Sequence, residues 1–183
     1  MANSVNTPYL AIWDADIIPD KKAIIECVQQ LRNQEVDVTY PYDGICYDIP
    51  QVIKPIYFKK RDIKLLYCHF KKMNQLYKMI LVGGTVIVNR KKYLQAGAEN
   101  EAHYGWGNDD FDRFQRFKIL DYKIYRYPIS LFHLSHPRFK NSFSRDFISG
   151  KISVNEYNKI QNLTQKELIS KLNLNEGERV IKS

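Results

Sequence analysis

The sequence holds no apolar run long enough to cross a bilayer. Its longest candidate, around Met79 to Val88, is broken by Gly83 and Gly84. A spanning helix needs about 18 or more consecutive apolar residues, so a transmembrane helix is excluded. A basic leader ahead of an apolar segment is also missing from MANSVNTPYLAIWDAD, and the expectation is that there is no secretory signal. Cysteine is scarce. Cys27, Cys46 and Cys68 stand far apart and are odd in number, which speaks against a disulfide framework and for free thiols in a reducing, cytoplasmic setting. Acid is nearly absent from one stretch: from Lys59 to Lys92 ten basic residues face a single acid, Asp62.

That local net of +9 exceeds the +8 of the whole chain, so the remainder is close to neutral. A cationic stretch of this kind attracts nucleic acid, an anionic lipid surface, or an acidic or phosphorylated substrate, and it can equally be a solvated lysine-rich face. What is present argues for a folded core. Of the 183 residues 44% are hydrophobic and 13% aromatic, which excludes global disorder. The length suits one domain and not two.

Local patterns give the order of elements. Tyr9–Trp13 (YLAIW) reads as a continuously apolar, buried strand ending at Asp14-Ala15-Asp16. Pro19 and Asp20 open a helix to about Asn33, with Ile24, Cys27, Val28 and Leu31 at helical spacing. A strand near Val36–Tyr40 leads into an aromatic loop, Tyr42–Tyr57, and Arg61–Tyr77 reads as helix followed by loop. Thr85–Val88 is a second apolar strand behind Gly83-Gly84, and Lys91–Ala96 a short helix with Gly97 past its end. Asn108–Leu120 is helical, with Phe111, Phe114, Phe117 and Leu120 on one face and Asn108 or Asp109 as its cap. Strands follow at Tyr122–Tyr127 and Leu131–His136, then a last helix at Glu156–Leu172 and a frayed tail, Asn173–Ser183. The alternation predicts an α/β fold with a mixed sheet.

Three clusters can carry chemistry. Asp14 and Asp16 stand one residue apart where a strand ends, a place suited to a hard divalent cation and a phosphate-bearing ligand; one of them can instead cap the next helix. In His103-Tyr-Gly-Trp-Gly-Asn-Asp-Asp-Phe-Asp112, Gly105 and Gly107 let the chain present Trp106 outward, as sugar stacking requires. Asp109 and Asp110 follow at a helix N-terminus that favours their ionised forms, which makes them general-base candidates. The alternative is that Asp109 caps the helix and Trp106 fills the core. Finally, His133 and His136, three apart before Pro137, can share one metal, or one binds while the other packs. His69 and His103 read as structural.

The order of these motifs is more specific than any of them. A strand with DxD, a Gly-Gly strand, G-W-G-x-D-D opening a helix and a strand ending in H-x-x-H together resemble the C-terminal half of the GT-A glycosyltransferases. The closest likeness is to the β-1,4-galactosyltransferase-like domain and bacterial chondroitin-polymerase-type enzymes, and it runs from about Tyr9 to Arg138. The resemblance implies a GT-A-like fold with residues 1–140 as the catalytic region and 141–183 as a helical extension and tail of the same domain. It implies a cytoplasmic, membrane-associated bacterial enzyme of polysaccharide biosynthesis that transfers a sugar with inversion from a UDP-sugar to a glycan or lipid-linked acceptor. Mn²⁺ or Mg²⁺ would be the cofactor, held by Asp16 with His136 or His133.

Asp14 would contact the diphosphate, Gly83 and Gly84 the donor sugar, and Trp106 and Gly107 the donor–acceptor platform. Asp110 would deprotonate the acceptor hydroxyl beside Asp109, where the family commonly has Glu. Only eight residues precede Tyr9, so the resemblance also implies that the nucleotide-binding units found upstream in the family are missing. An inactive carbohydrate-binding fragment keeping the Trp106 platform is the alternative. Nucleic acid is not an expected partner, since no RNP, helix-turn-helix or zinc pattern is present, whereas an anionic membrane surface is one.

Overall fold

The structure is a computed structural model that describes residues 2–103, 108–137 and 147–181, the side chains as far as residue 173. Trp106 and Gly107 lie outside the described residues. The chain divides into two compact units: Tyr9–Val88 with Lys123–Pro137, and Met1–Pro8 with Asn89–Tyr122 and Arg138–Ser183.

The first unit carries the sheets. Its strands are β1 (Tyr9–Trp13), β2 (Ile17–Ile18), β3 (Val38–Tyr40), β4 (Cys46–Ile49), β5 (Asn74–Gln75), β6 (Thr85–Asn89), β7 (Ile124–Arg126) and β8 (Leu131–Leu134). They form two four-stranded mixed sheets, ordered β1-β6-β3-β7 and β2-β8-β4-β5. In the first, β3 runs antiparallel to β6 and parallel to β7. Both central strands are β-branched-rich and buried on either face, as inner strands should be. The buried Thr39 donates its hydroxyl to the Ile87 carbonyl at 3.0 Å, so its polar atom is satisfied. β1 differs from its sequence reading: it lies at the sheet edge and is only half-buried, with Ala11 and Trp13 exposed.

Helix α1 (Lys21–Arg32) starts as its sequence predicts. Asp20 accepts the Lys22 N–H at 2.7 Å, and Ala23, Cys27 and Leu31 recur every fourth residue on the buried face. Cys27 and Leu31 pack with Ile87 of the first sheet. The stretch read as an aromatic loop instead contains β4 and the start of α2 (Lys54–Lys60), with α3 (Ile63–His69) and a 3-10 turn (Phe70–Lys72) after it. Ile49, Ile53, Leu66, Met73 and Phe132 form the core there, joining those helices to the second sheet. Burial pushes the Cys27 and Cys46 thiols up to about 11 and about 12, so neither is a nucleophile at neutral pH.

The second unit is helical: α4 (Arg90–Gln95), α5 (Asp109–Ile119), α6 (Phe147–Gln161) and α7 (Gln165–Ile181). Gly97 has φ +86°, a conformation that calls for glycine, and an added Cβ would come within 2.5 Å of Leu172 Cδ2, so that the tip of that side chain would have to shift. Two expectations are corrected in this unit. The single last helix is two, and residues read as tail extend α7. The break is set by Thr164 and Glu167: Thr164 donates its N–H and hydroxyl to Glu167 Oε2 at 2.8 and 2.7 Å, and its Oγ1 accepts the Glu167 N–H at 3.3 Å. The buried face of α5 is not the phenylalanine face either. It consists of Asp112, Arg113, Arg116 and Phe117.

Among the described residues no helix is long and apolar enough to cross a membrane.

Candidate functional site

The sheet unit builds its site from strand register. Ile17 pairs with His133 in the antiparallel β2–β8 ladder. The Asp16 carbonyl accepts the Leu134 N–H at 2.7 Å, which clamps Asp16 beside β8. Successive residues of β8 point to opposite faces. Phe132 therefore enters the core while His133 emerges on the other side, next to Asp16. The turn carrying the two aspartates is closed by the Ile17 N–H donating to the Asp14 carbonyl at 3.1 Å and the Trp13 indole donating to the Ile17 carbonyl at 3.2 Å. Gly84, at φ +79°, accepts the Asp14 N–H at 2.8 Å. Gly83 accepts the Tyr42 hydroxyl at 2.5 Å.

Asp16 Oδ2 lies 2.9 Å from His136 Nε2 and 3.3 Å from His133 Nε2. One ligand atom from each of the three residues falls within 4.8 Å of the others. The far nitrogens explain which lone pairs face inward. His133 Nδ1 lies 2.7 Å from Asp48 Oδ1, and His136 Nδ1 lies 3.1 Å from the Pro137 carbonyl. Both partners are acceptors, so a proton on each Nδ1 leaves the Nε2 lone pairs free to face a cation beside Asp16; with no cation there, a proton on either Nε2 would be donated to the Asp16 carboxylate. Three electron-pair donors thus converge, a set that suits a divalent cation and leaves coordination positions for other ligands. Both histidines take part in the cluster. The Asp14 carboxylate does not.

Asp48 is the residue that sequence reasoning missed. It lies in the stretch read as loop, and the parallel β4–β8 register sets it opposite His133. No local signal carries that pairing.

Residues 65–139 match the family model for the N-terminal domain of galactosyltransferase. This supports a galactosyltransferase-like glycosyltransferase family, and with it a transferase acting on a nucleotide-sugar donor and a glycan acceptor. The galactosyltransferase-like stretch takes in Gly83, Gly84, Asp109, Asp110, His133 and His136, and leaves Asp14 and Asp16 outside it. No curated protein matches the chain.

The helical unit holds all of that stretch's acidic residues. Asp109 and Asp110 occupy the first turn of α5, where the positive end of the helix dipole stabilises their charge. Asn108 stands at the N-cap position without a side-chain capping bond. Asp110 pairs with the buried Arg113, whose other arm donates to Glu99 at 2.8 Å. The i,i+3 spacing of Asp110 and Arg113 was legible as a helical pair, and the sequence reading passed over it.

Beneath that turn, Arg116 donates through Nε to Asp112 at 2.6 Å. Asp112 also lies 2.9 Å from His103 Nε2, and His103 Nδ1 lies 2.8 Å from Ser153 Oγ, which accepts the Asn108 N–H. With the proton on Nε2, His103 donates to Asp112 and accepts from Ser153, so both of its ring nitrogens are satisfied, while the buried Arg116 Nη2 has no hydrogen-bond partner among the described residues. His103 is thus structural, as its sequence reading held. Burial opposes ionisation of Asp112 most strongly, but Arg116 and the hydrogen bonds from His103 and Asn100 overcome it and hold the carboxyl below its usual range.

Proposed function

We propose that this chain is a metal-dependent, inverting glycosyltransferase that moves a sugar from a UDP-sugar to a glycan acceptor. The observation that carries the reading is the convergence of Asp16, His133 and His136 in a chain whose 65–139 segment matches a galactosyltransferase family. A bound Mn²⁺ or Mg²⁺ would neutralise charge on the departing diphosphate. Asp16, His133 and His136 would hold it, and Asp48 and the Pro137 carbonyl fix the two rings so that Nε2 is offered. The Asp14 and Gly84 backbones, tied together, set the edge against which donor phosphate and sugar lie. Trp106 and Gly107 supply the acceptor platform.

Asp110 is the group that takes the acceptor hydroxyl proton. It lies in the first turn of a helix and pairs with Arg113, while Asp109 contacts the acceptor. The acceptor oxygen forms its bond to the anomeric carbon as the bond to the diphosphate breaks, and no protein nucleophile is needed.

The test is release of UDP from UDP-galactose and related donors with Mn²⁺, with and without saccharide acceptors. Metal-dependent turnover in wild type is expected. Asp110→Asn should lower transfer by about 10²–10⁴-fold while donor binding survives. Equal turnover in Asp110→Asn overturns the base assignment. Absence of any metal-dependent donor binding in wild type overturns the reading as a whole, and donor binding without turnover in wild type favours a binding fragment.

A second prediction concerns Asp48. Removing the acceptor of a ligating histidine's far N–H usually weakens the metal about 10–100-fold. Asp48→Ala should therefore raise the Mn²⁺ dissociation constant by that factor in calorimetric titration, with the metal-free melting temperature nearly unchanged. Unchanged metal affinity would show that Asp48 does not position His133.

A further inference from the structure

The cationic stretch is not spread evenly over the fold. Helices α2 and α3 pack against each other in the sheet unit, and each turns a different chemistry outward. On α2 the inner face is Ile53, buried, and Tyr57, half-buried, one turn apart. Val52, in the turn before α2, and Pro55, Ile56, Phe58 and Lys59 on α2 are exposed residues of this stretch. These side chains are exposed: Val52 77%, Phe58 54% and Ile56 47%. On α3, Leu66 is buried while Lys64 and Cys68, four apart, are exposed; Arg61 just before the helix and Lys71 in the 3-10 turn after it are exposed too. Lys59, Lys60 and Lys72 add to them.

The one acid of this region, Asp62, is engaged as the N-cap of α3, accepting the Lys64 N–H at 2.9 Å. The basic residues have no acidic partner among the described residues. Exposed apolar side chains on and just before α2 and exposed basic side chains around α3 therefore follow each other on two helices that are in contact.

A solvated lysine-rich face needs no such apolar side chains, since aliphatic groups left in water cost free energy. Nucleic acid answers the lysines but not Val52, Pro55 and Ile56, which have neither a π-face to stack on bases nor a hydrogen bond to offer. An anionic lipid surface answers both: phosphates meet the lysines and arginine while the apolar side chains enter the headgroup–acyl boundary. We propose that the outer face of α2 and α3 is a peripheral docking surface for anionic membrane, with Val52, Ile56 and Phe58 as the inserted groups and Lys59, Arg61 and Lys64 as the phosphate contacts. None of these residues belongs to the metal cluster, and the test does not depend on glycosyl transfer.

The experiment is co-sedimentation of the full chain with phosphatidylcholine vesicles, with and without phosphatidylglycerol. We expect about tenfold or greater preference for the anionic vesicles, falling with added salt. Ile56→Ser combined with Phe58→Ser should lower binding about tenfold at unchanged charge. Lys59→Gln combined with Lys64→Gln should remove most of the anionic preference. Both pairs are exposed, so thermal melts should match wild type. Failure to sediment with anionic vesicles overturns the proposal. So does binding that ignores the Ile56/Phe58 pair, above all if single-stranded DNA binds the same lysines more tightly than the vesicles do.

Discussion

Asp16→Ala is expected to abolish metal-dependent stabilisation while leaving the fold intact. The carboxylate is the one oxygen ligand of the cluster, and without it two imidazoles face each other, with ring centres 5.4 Å apart. Its side chain is about one-third exposed, and its ion pairs among the described residues are with the two histidines, so little packing is lost. The backbone bond from Leu134 to the Asp16 carbonyl survives the change. Metal-free stability should stay within about 0.5 kcal/mol of wild type, as for other exposed substitutions.

The metal effect is far larger. A ligand at a hundred times its dissociation constant stabilises by about 2.7 kcal/mol, which is about 5–11 °C for a chain of this size. Melts with and without Mn²⁺ therefore separate the two quantities. Wild type should show the full shift and Asp16→Ala none, with sugar transfer reduced to background. A retained shift in Asp16→Ala would place the metal elsewhere and sink the cluster as its site.

What the sequence revealed and what it hid follow the range of the forces involved. Helices α1, α4 and α5 were legible because their signals are local: the Asp20 cap, Gly97 just past α4, and acids in the first turn of α5. Strands β1, β3 and β6 were legible as apolar β-prone runs. Strands β2 and β5 have two residues each, and β4 sits among prolines and tyrosines; they exist through ladders to distant segments, which no window reveals.

The same holds at the site. Asp16, His133 and His136 were legible by residue type and order. That both histidines join the cluster required the register of Ile17 with His133, and Asp48 required that of β4 with β8. The face of α5 misled for another reason. Its phenylalanines are the apolar residues, but Asp112, Arg113 and Arg116 are more deeply placed than Phe111 or Phe114 because they neutralise one another. The split between α6 and α7 was in plain view as Thr164-Gln-Lys-Glu167, a capping box that should have broken the helix there.

The buried charges of α5 carry the largest stability effect. Asp112→Ala leaves the guanidinium of Arg116, 3% exposed, without its counter-charge in a site that excludes water. Breaking one partner of a buried pair costs about 3–5 kcal/mol. That is a large part of the 5–15 kcal/mol that typically holds a domain of roughly this size folded. The change also strips His103 and Asn100 of their acceptor.

Asp112→Asn keeps the shape and one acceptor oxygen, so its loss should be smaller but still measurable. The pH dependence has a definite sign. Because the folded state holds the Asp112 carboxyl below its ordinary value, the unfolded state takes up the proton first as pH falls. The stabilisation is fully present above the unfolded value of about 3.9 and is lost as pH drops through the folded one. Wild type and Asp112→Asn should therefore differ by a constant amount from pH 7 to about pH 5 and converge below about pH 4, when unfolding is followed by circular dichroism. If Asp112→Ala melts within about 1 kcal/mol of wild type, the network is not what holds α5. Since Asp109 and Asp110 share the first turn of α5 with Asp112, a loosened α5 should also slow transfer without changing metal affinity, and that pairing of effects separates a positioning role from a loss of the metal site.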